Sequence, residues 1–287
     1  MTAGRLCVIG DPVGHSLSPL LHGAMIAQTG VPYTYELYPV SAAALPEFVA
    51  AAKDGAWAGC NVTMPHKQTI LPLLDEVDGF AADCGAVNTV CFRDGRAVGY
   101  NTDGVGLVDS LRCRGFDPAG RTVLLLGAGG AASAVCCALA RAGAPHIFVA
   151  ARRPEVARTL SALSPGRVEA VPFDGATLRR TLAESTLLIN ATPLGMDGKP
   201  PFPELSFLRA APREAVVYDL VYQPRRTALL ASAAACGLAT VPGTSLLLHQ
   251  AVRAFTLFTG APVDVPALSR AVERRVSQLL CGVSGKK

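Results

Sequence analysis

The sequence has little charge and gathers it nowhere. Of 287 residues only 17% are Asp, Glu, Lys or Arg, while half are hydrophobic. The formal net charge of +4 is spread along the chain, and basic residues come at most in pairs, such as Arg152-Arg153, Arg179-Arg180, Arg225-Arg226 and Arg274-Arg275. Without a basic stripe, the electrostatic footprint of a nucleic-acid or membrane-surface binder is missing. Long apolar runs are missing too. The clearest, VLLLGAGGAASAVCCALA, is broken by glycines, so no transmembrane span is expected. The opening MTAGRLCVIGDPVG runs directly into a strand pattern, so no signal peptide is expected. Nine cysteines form no CxxC pair, and most sit in apolar contexts such as LCVIG, AVCCALA and TVCF. Buried free thiols in a reducing cytoplasm are the expected reading. No two of His15, His22, His66, His146 and His249 fall at i, i+4 as a metal-binding pair would, so no metal site is expected. Internal repeats and low-complexity tracts are absent.

What is present is an alternation of strand and helix, in a length that suits two modest domains or one large α/β unit. RLCVIGD reads as a short apolar strand, and Pro19 opens a helix, PLLHGAMIAQTG, ending at Gly30. YTYELYPV alternates like a strand, SAAALPEFVAAAK is helical, GCNVT is the next strand, and HKQTILPLL follows as helix. AVNTVCF and RAVGYN flank Asp94-Gly95, a strong hairpin signal. GVGLVDSLRCRG then leaves this region as a helix, and composition shifts. TVLLL, IFVAA, TLLIN, AVVYD and LATV are apolar strands separated by helices. Four or five such strands imply a parallel, doubly wound sheet. Two helices, SLLLHQAVRAFTLFTG and VPALSRAVERRVSQLL, trail behind and are expected to pack back on the first region.

GAGGAA, Gly127 to Ala132, follows an apolar strand and opens a helix, the context a dinucleotide fingerprint requires. Its glycines let backbone N–H groups approach a pyrophosphate at the positive end of the helix. The alternative is a merely tight structural turn. An NAD site usually carries Asp or Glu at the end of the second strand. Here that end reads Ala150-Ala151-Arg152-Arg153, with no acid until Glu155. Guanidinium groups suit a 2′-phosphate, so NADP is favoured over NAD.

The first region places polar residues at strand ends and turns. Ser16 and Ser18 stand at i, i+2 before a helix. Asn61 and Thr63 alternate around Val62, Asn88 lies in AVNTV, and Asn101-Thr102-Asp103 ends the hairpin. Each has a structural alternative: Ser18 and Asp103 read as helix N-caps, and the Asn and Thr residues as turn formers. Ligands of open α/β sheets do gather beyond the carboxyl ends of strands. A cyclic polyol or hydroxy acid would need this mixture of hydroxyl, amide and ammonium groups. Lys67 is electrostatically awkward beside Pro65, in the first turn of an expected helix, where cations are disfavoured. It is either a tolerated surface charge or held for its chemistry. A hydrolase elbow at Gly14-His15-Ser16 is set aside, because its second glycine is missing.

Taken in order, HSLSP, NVTMPHK, GAVNT, GYNTDGVG, GAGGAA, NATPLGM, VYDLVYQPRRT and HQA resemble the shikimate dehydrogenase family over nearly the whole chain. The resemblance implies an α/β fold in which an N-terminal substrate domain is completed by C-terminal helices (1–103 and 245–287). A Rossmann-type, doubly wound NADP-binding domain would span 104–244. It implies Lys67 and Asp103 as the catalytic pair. Ser16 and Ser18 would hold a carboxylate, and Asn61, Thr63, Asn88 and Gln250, with Tyr222 near the pocket, would serve the ring. Gly127, Ala128, Gly129, Gly130, Ala131, Arg152, Arg153, Thr192, Leu220 and Gly243 would lie against the cofactor. Three departures stand out. Ala151-Arg152-Arg153 replaces the family's common Asn-Arg-Thr, Gly243-Thr244-Ser245-Leu246 replaces Gly-Leu-Gly-Met, and Phe258 replaces a frequent tryptophan.

The implied activity is reversible NADPH-dependent reduction of 3-dehydroshikimate to shikimate, in aromatic amino acid biosynthesis, by a cytoplasmic monomer or homodimer. The helix end and burial should lower the Lys67 pKa from about 10.4, while Asp103 opposes that shift. Closure about Asp103–Gly106 and Pro242–Gly243 is expected on ligand binding. The alternatives are a quinate/shikimate dehydrogenase using NAD or NADP, an aminoshikimate enzyme, or a non-catalytic metabolite-sensing homologue. The intact Lys67/Asp103 pair argues against the last.

Overall fold

A computed structural model describes residues 4–163 and 166–271. The chain divides into two compact units, Met1–Asp103 with Leu248–Lys287, and Gly104–Leu247.

In the first unit the elements run β1 (Gly4–Gly10), α1 (Ser18–Thr29), β2 (Tyr33–Pro39), α2 (Leu45–Ala51), β3 (Gly59–Val62), α3 (His66–Thr69), β4 (Glu76–Val77), α4 (Gly79–Cys84), β5 (Thr89–Arg93) and β6 (Arg96–Tyr100). They form a mixed six-stranded sheet in the order β2-β1-β3-β5-β6-β4. β1 lies parallel to β2 and β3, and β5 is antiparallel to β3 and β6. The β5–β6 hairpin turns at Asp94 and Gly95 with φ of 52° and 73°. Positive φ at both turn residues matches the right-handed twist of the flanking strands.

Period-two alternation assigns the two sheet faces. Cys7, Ile9, Cys60 and Val62 enter a core with Phe48, Trp57 and Phe92. Leu6 and Cys91 meet Ala254 and Phe258 of the long helix near the C-terminus. That helix covers the other face, and a Cβ on Gly59 would come within 2.5 Å of the Phe258 ring. The aromatic at Phe258 and the bare backbone at Gly59 are therefore one packing solution.

The second unit contains α5 (Asp103–Arg112, from Gly104 onward), β7 (Thr122–Leu126), α6 (Gly130–Arg141), β8 (His146–Ala151), α7 (Pro154–Leu163), β9 (Val168–Pro172), α8 (Gly175–Ala183), β10 (Leu187–Asn190), β11 (Val216–Asp219), α9 (Ala228–Ala235) and β12 (Ala239–Val241). α10 (Gly243–Thr259) starts here and continues into the first unit. All six strands are parallel, in the order β12-β11-β10-β7-β8-β9. That order is the doubly wound Rossmann arrangement, whose direction of winding reverses between β7 and β10. Val123 and Leu125 enter one core and Leu124 and Leu126 the other, so the strand is apolar on both faces.

The sequence shows the sheet's centre more clearly than its edge. β9 (VEAVP) exposes Glu169 and Pro172, so it lacks the continuous apolar run that marks the other strands. Residues 265–271 are helical, and the remainder of the expected C-terminal helix, with Arg274-Arg275, lies outside the described residues. Among the described residues no helix is long and apolar enough to cross a membrane.

Candidate active site

In the first unit, β3 ends on Asn61 and Val62, Thr63 follows half-buried, and α3 carries Lys67. Lys67 Nζ donates to Asp103 Oδ2 at 2.5 Å, and the Lys67 and Asp103 side chains are 22% and 12% exposed. The other carboxylate oxygen of Asp103 accepts from Asn88 Nδ2 at 2.8 Å. Asn88 Oδ1 accepts the backbone N–H of Thr102 at 2.8 Å and the Thr89 hydroxyl at 3.0 Å. Asn61 Nδ2 donates to Thr89 Oγ1 at 3.1 Å and to the Asn88 carbonyl at 3.3 Å, while Asn61 Oδ1 accepts from Tyr35 at 2.7 Å. The Tyr35 phenol also lies against Ser18, and burial pushes its pKa well above the usual tyrosine value. Ser16 Oγ donates to Ser18 Oγ at 3.1 Å. Gln250 is buried on α10 in this unit. Hydrogen bonds and close contacts thus connect Ser16, Ser18, Asn61, Asn88, Asp103 and Lys67.

The second unit sets its polar features at the carboxyl ends of its strands. After β7 the chain turns through Gly127 at φ 106°, where a Cβ would lie 3.0 Å from the Ala191 carbonyl. Gly129 is the N-cap of α6 and offers no side chain to the helix's free N–H groups. A Cβ on Gly129 or Gly130 would meet nothing within 4 Å, so the backbone there is open. Ala128 and Ala131 are half-buried beside them. Thr192, after β10, donates to Asn190 Oδ1 at 2.6 Å and accepts from the Leu194 N–H. Arg152 and Arg153 follow β8 fully in solvent reach. Gly243 begins α10 so close to β11's exit that a Cβ would lie 2.5 Å from the Leu220 carbonyl. Tyr222 lies in this unit, half-buried, its pKa raised by burial.

These donors fit a phosphorylated dinucleotide. Uncapped N–H groups at a helix start favour a pyrophosphate, and two exposed guanidinium groups suit a further phosphate monoester. No carboxylate stands at the end of β8 to bond an unmodified ribose.

The chain is similar to known proteins over most of its length. Residues 8–90 match the family model described as the shikimate dehydrogenase substrate binding domain. Shikimate dehydrogenase (NADP(+)) of Methylobacterium radiotolerans is 45% identical over 262 residues, covering 89% of this chain and 91% of its own. The Moorella thermoacetica protein of the same name is 41% identical over 278 residues, covering 94% and 93%. The structure of Thermus thermophilus shikimate 5-dehydrogenase with NADP(H) and shikimate superposes with a TM-score of 0.83 at 36% identity. That match covers 94% of this chain and 99% of the other. The chain belongs to the shikimate dehydrogenase family.

Several local expectations need correction within this family frame. Ser18 is not an N-cap: α1 begins with it, Leu17 occupies the cap, and Ser16 Oγ accepts the Ser18 N–H at 3.2 Å. Asp103 is the first residue of α5, and its N–H is accepted by Asn101 Oδ1 at 3.0 Å. Its carboxylate goes to Lys67 and Asn88 instead of capping the helix. α3 has only four residues, with Lys67 in both its first and its last turn, so the helix-end field invoked for Lys67 largely cancels. What holds Lys67 is the Asp103 carboxylate.

Sequence reasoning also missed residues. Tyr35 and Thr89 read as ordinary alternating strand residues, yet both bond to Asn61. In the second unit Asp219 is fully buried and accepts from Asn190 at 2.8 Å and Thr227 at 2.6 Å. Burial raises its pKa, partly offset by these donors. Asn190 in turn accepts the Thr192 N–H and hydroxyl, so the NAT segment is braced from the next strand. A buried Asp after an apolar strand was the available signal.

Proposed function

We propose that this chain is an NADP-dependent shikimate dehydrogenase, interconverting 3-dehydroshikimate and shikimate. The observation that carries the reading is the Lys67–Asp103 ion pair, tied through Asn88 to a cluster of Asn, Ser and Thr groups suited to a polyhydroxylated ring acid. Ser16 and Ser18 receive the ring carboxylate through their hydroxyls, and Asn61, Thr63, Asn88 and Gln250 surround its hydroxyl groups. Gly127 to Ala131 cradle the cofactor pyrophosphate, Arg152 and Arg153 its 2′-phosphate, and Thr192, Leu220 and Gly243 its other half.

Bound NADPH supplies the hydride. As negative charge builds on the ring carbonyl oxygen, the Lys67 ammonium stabilises it and passes a proton from Nζ, combining electrostatic and general-acid roles. Asp103 holds Nζ in place and is itself oriented by Asn88, which donates to its second oxygen. In the oxidative direction Lys67 takes the hydroxyl proton back. The buried cysteines Cys7, Cys60, Cys91 and Cys136 form no disulfide among the described residues, which suits a reducing, cytoplasmic setting.

Absorbance at 340 nm with shikimate or quinate, each with NADP or NAD, tests the assignment. Turnover fastest with shikimate and NADP is expected, and turnover confined to quinate or NAD would replace it. Lys67→Ala should lower kcat by about 100- to 10,000-fold, the usual worth of acid–base catalysis, with a much smaller change in KM. An unchanged kcat with a large KM effect would make Lys67 a binding residue only.

A further inference from the structure

The polar cluster of the first unit is a hydrogen-bond chain with one direction. An ionised carboxylate only accepts, so the Asn88 atom 2.8 Å from Asp103 Oδ1 must be Nδ2. The opposite atom, Asn88 Oδ1, faces the backbone N–H of Thr102, a donor that cannot reverse. The sense of Asn88 is therefore fixed twice. Thr89 Oγ1 has one proton and gives it to Asn88 Oδ1 at 3.0 Å, so it can only accept from the Asn61 atom at 3.1 Å. That atom must be Nδ2, and the Asn88 carbonyl, 3.3 Å from the same nitrogen, demands the same sense. Asn61 Oδ1 then faces Tyr35, which donates at 2.7 Å. Thr89 has no exposed surface and Asn61 and Asn88 are buried, so water does not compete within the chain. The Tyr35 ring is held by face-to-face stacking on His22 at 4.1 Å.

We propose that Tyr35 and Thr89 are positioning residues that lock the Asn61 amide so that it meets a ligand only as an acceptor. Asn61 Nδ2 donates to both Thr89 and the Asn88 carbonyl, and Tyr35 takes one lone pair of Oδ1. The other lone pair is what remains for a ligand. Asn61 thereby reads a ring hydroxyl as a donor and gives nothing to a ketone or ether oxygen in that position. Thr89 also couples this subsite to Asn88 and, through it, to the carboxylate that holds Lys67.

The kinetic part of the test rests on the proposed dehydrogenase reading. Tyr35→Phe keeps the ring stack and removes the donor, Thr89→Val keeps the shape and removes the hydroxyl, and Thr89→Ser keeps the hydroxyl. Loss of one such hydrogen bond is worth about a three- to tenfold change. The KM for shikimate should rise by that factor in Tyr35→Phe and Thr89→Val, while the KM for NADP stays within twofold of wild type. Thr89→Ser should restore the wild-type value, which a packing defect at this site would not allow. In protein labelled with 15N at asparagine, the Asn61 side-chain protons should exchange slowly in wild type and faster in Thr89→Val. An unchanged shikimate KM in both hydroxyl-deleting variants of an active enzyme overturns the proposal, as does Thr89→Ser behaving like Thr89→Val. If Thr89→Val fails to fold, Tyr35→Phe decides by both readouts. If the wild type does not turn over shikimate, the functional reading has failed, and amide exchange alone decides the chain: unchanged exchange refutes it.

Discussion

His22 should make the first unit sensitive to mild acid. It lies on α1 with no exposed surface, stacked on Tyr35 and tilted against Phe255 and Phe258, and neither ring nitrogen reaches good hydrogen-bonding geometry with a partner, though the Asn61 side chain acts on it. Burial lowers its pKa from 6.5 to about 3, and the nearby Asn61 amide opposes this only in part. Below pH 6.5 the unfolded chain binds a proton that the folded chain refuses. Stability is therefore full above that value and declines as pH falls toward about 3. With those two values the loss is about 2 kcal/mol at pH 5 and about 5 kcal/mol once pH is below 3. His22→Phe keeps an aromatic plate against Tyr35 and removes the titration. Trp57 is the single tryptophan and is buried in this unit's core, so its fluorescence in urea follows this unit. Between pH 7.5 and pH 5 the variant should lose about 2 kcal/mol less stability than wild type. Every other titrating group is common to both proteins and cancels in the double difference. Equal losses in the two proteins would refute a buried, neutral His22.

Two further predictions concern the second unit. Arg152→Gln should raise the KM for NADP about tenfold or more while leaving that for NAD within twofold, since a charge-assisted bond to the 2′-phosphate is lost; parallel changes with both cofactors would place Arg152 elsewhere. Gly243→Ala should cost about 1–3 kcal/mol, because the new Cβ would press on the backbone carbonyls of Leu220 and Val221 at 2.5 and 2.6 Å, which yield less readily than side chains. A thermal melt coincident with wild type would show that α10 shifts freely at its start.

Much of the fold was legible because its signals are local. Runs such as TVLLL need no partner to be read as buried parallel strands, and GAGGAA announces a glycine turn into a helix by composition alone. Asp94-Gly95 forces positive φ at adjacent residues, which only a hairpin uses readily. β9 was obscure because this edge strand sends only Val168 and Val171 fully into the two cores, so its pattern is diluted by exposed Glu169 and Pro172.

The sequence by itself determined the element order, the glycine turn, the absence of an acid after β8 and the presence of Lys67, Asp103 and the Ser, Asn and Thr groups. Which of those groups touch was decided only by the tertiary structure. Lys67 and Asp103 are 36 residues apart and meet at 2.5 Å because β3 and the β5–β6 hairpin bring their ends together. Tyr35 reaches Asn61 across β1, which separates their strands in the sheet. Hydrogen-bond direction is likewise a property of the assembled cluster. An isolated asparagine can donate or accept with equal ease, and Asn61 loses that freedom only when a carboxylate, a backbone N–H and a single-proton hydroxyl are stacked against one another.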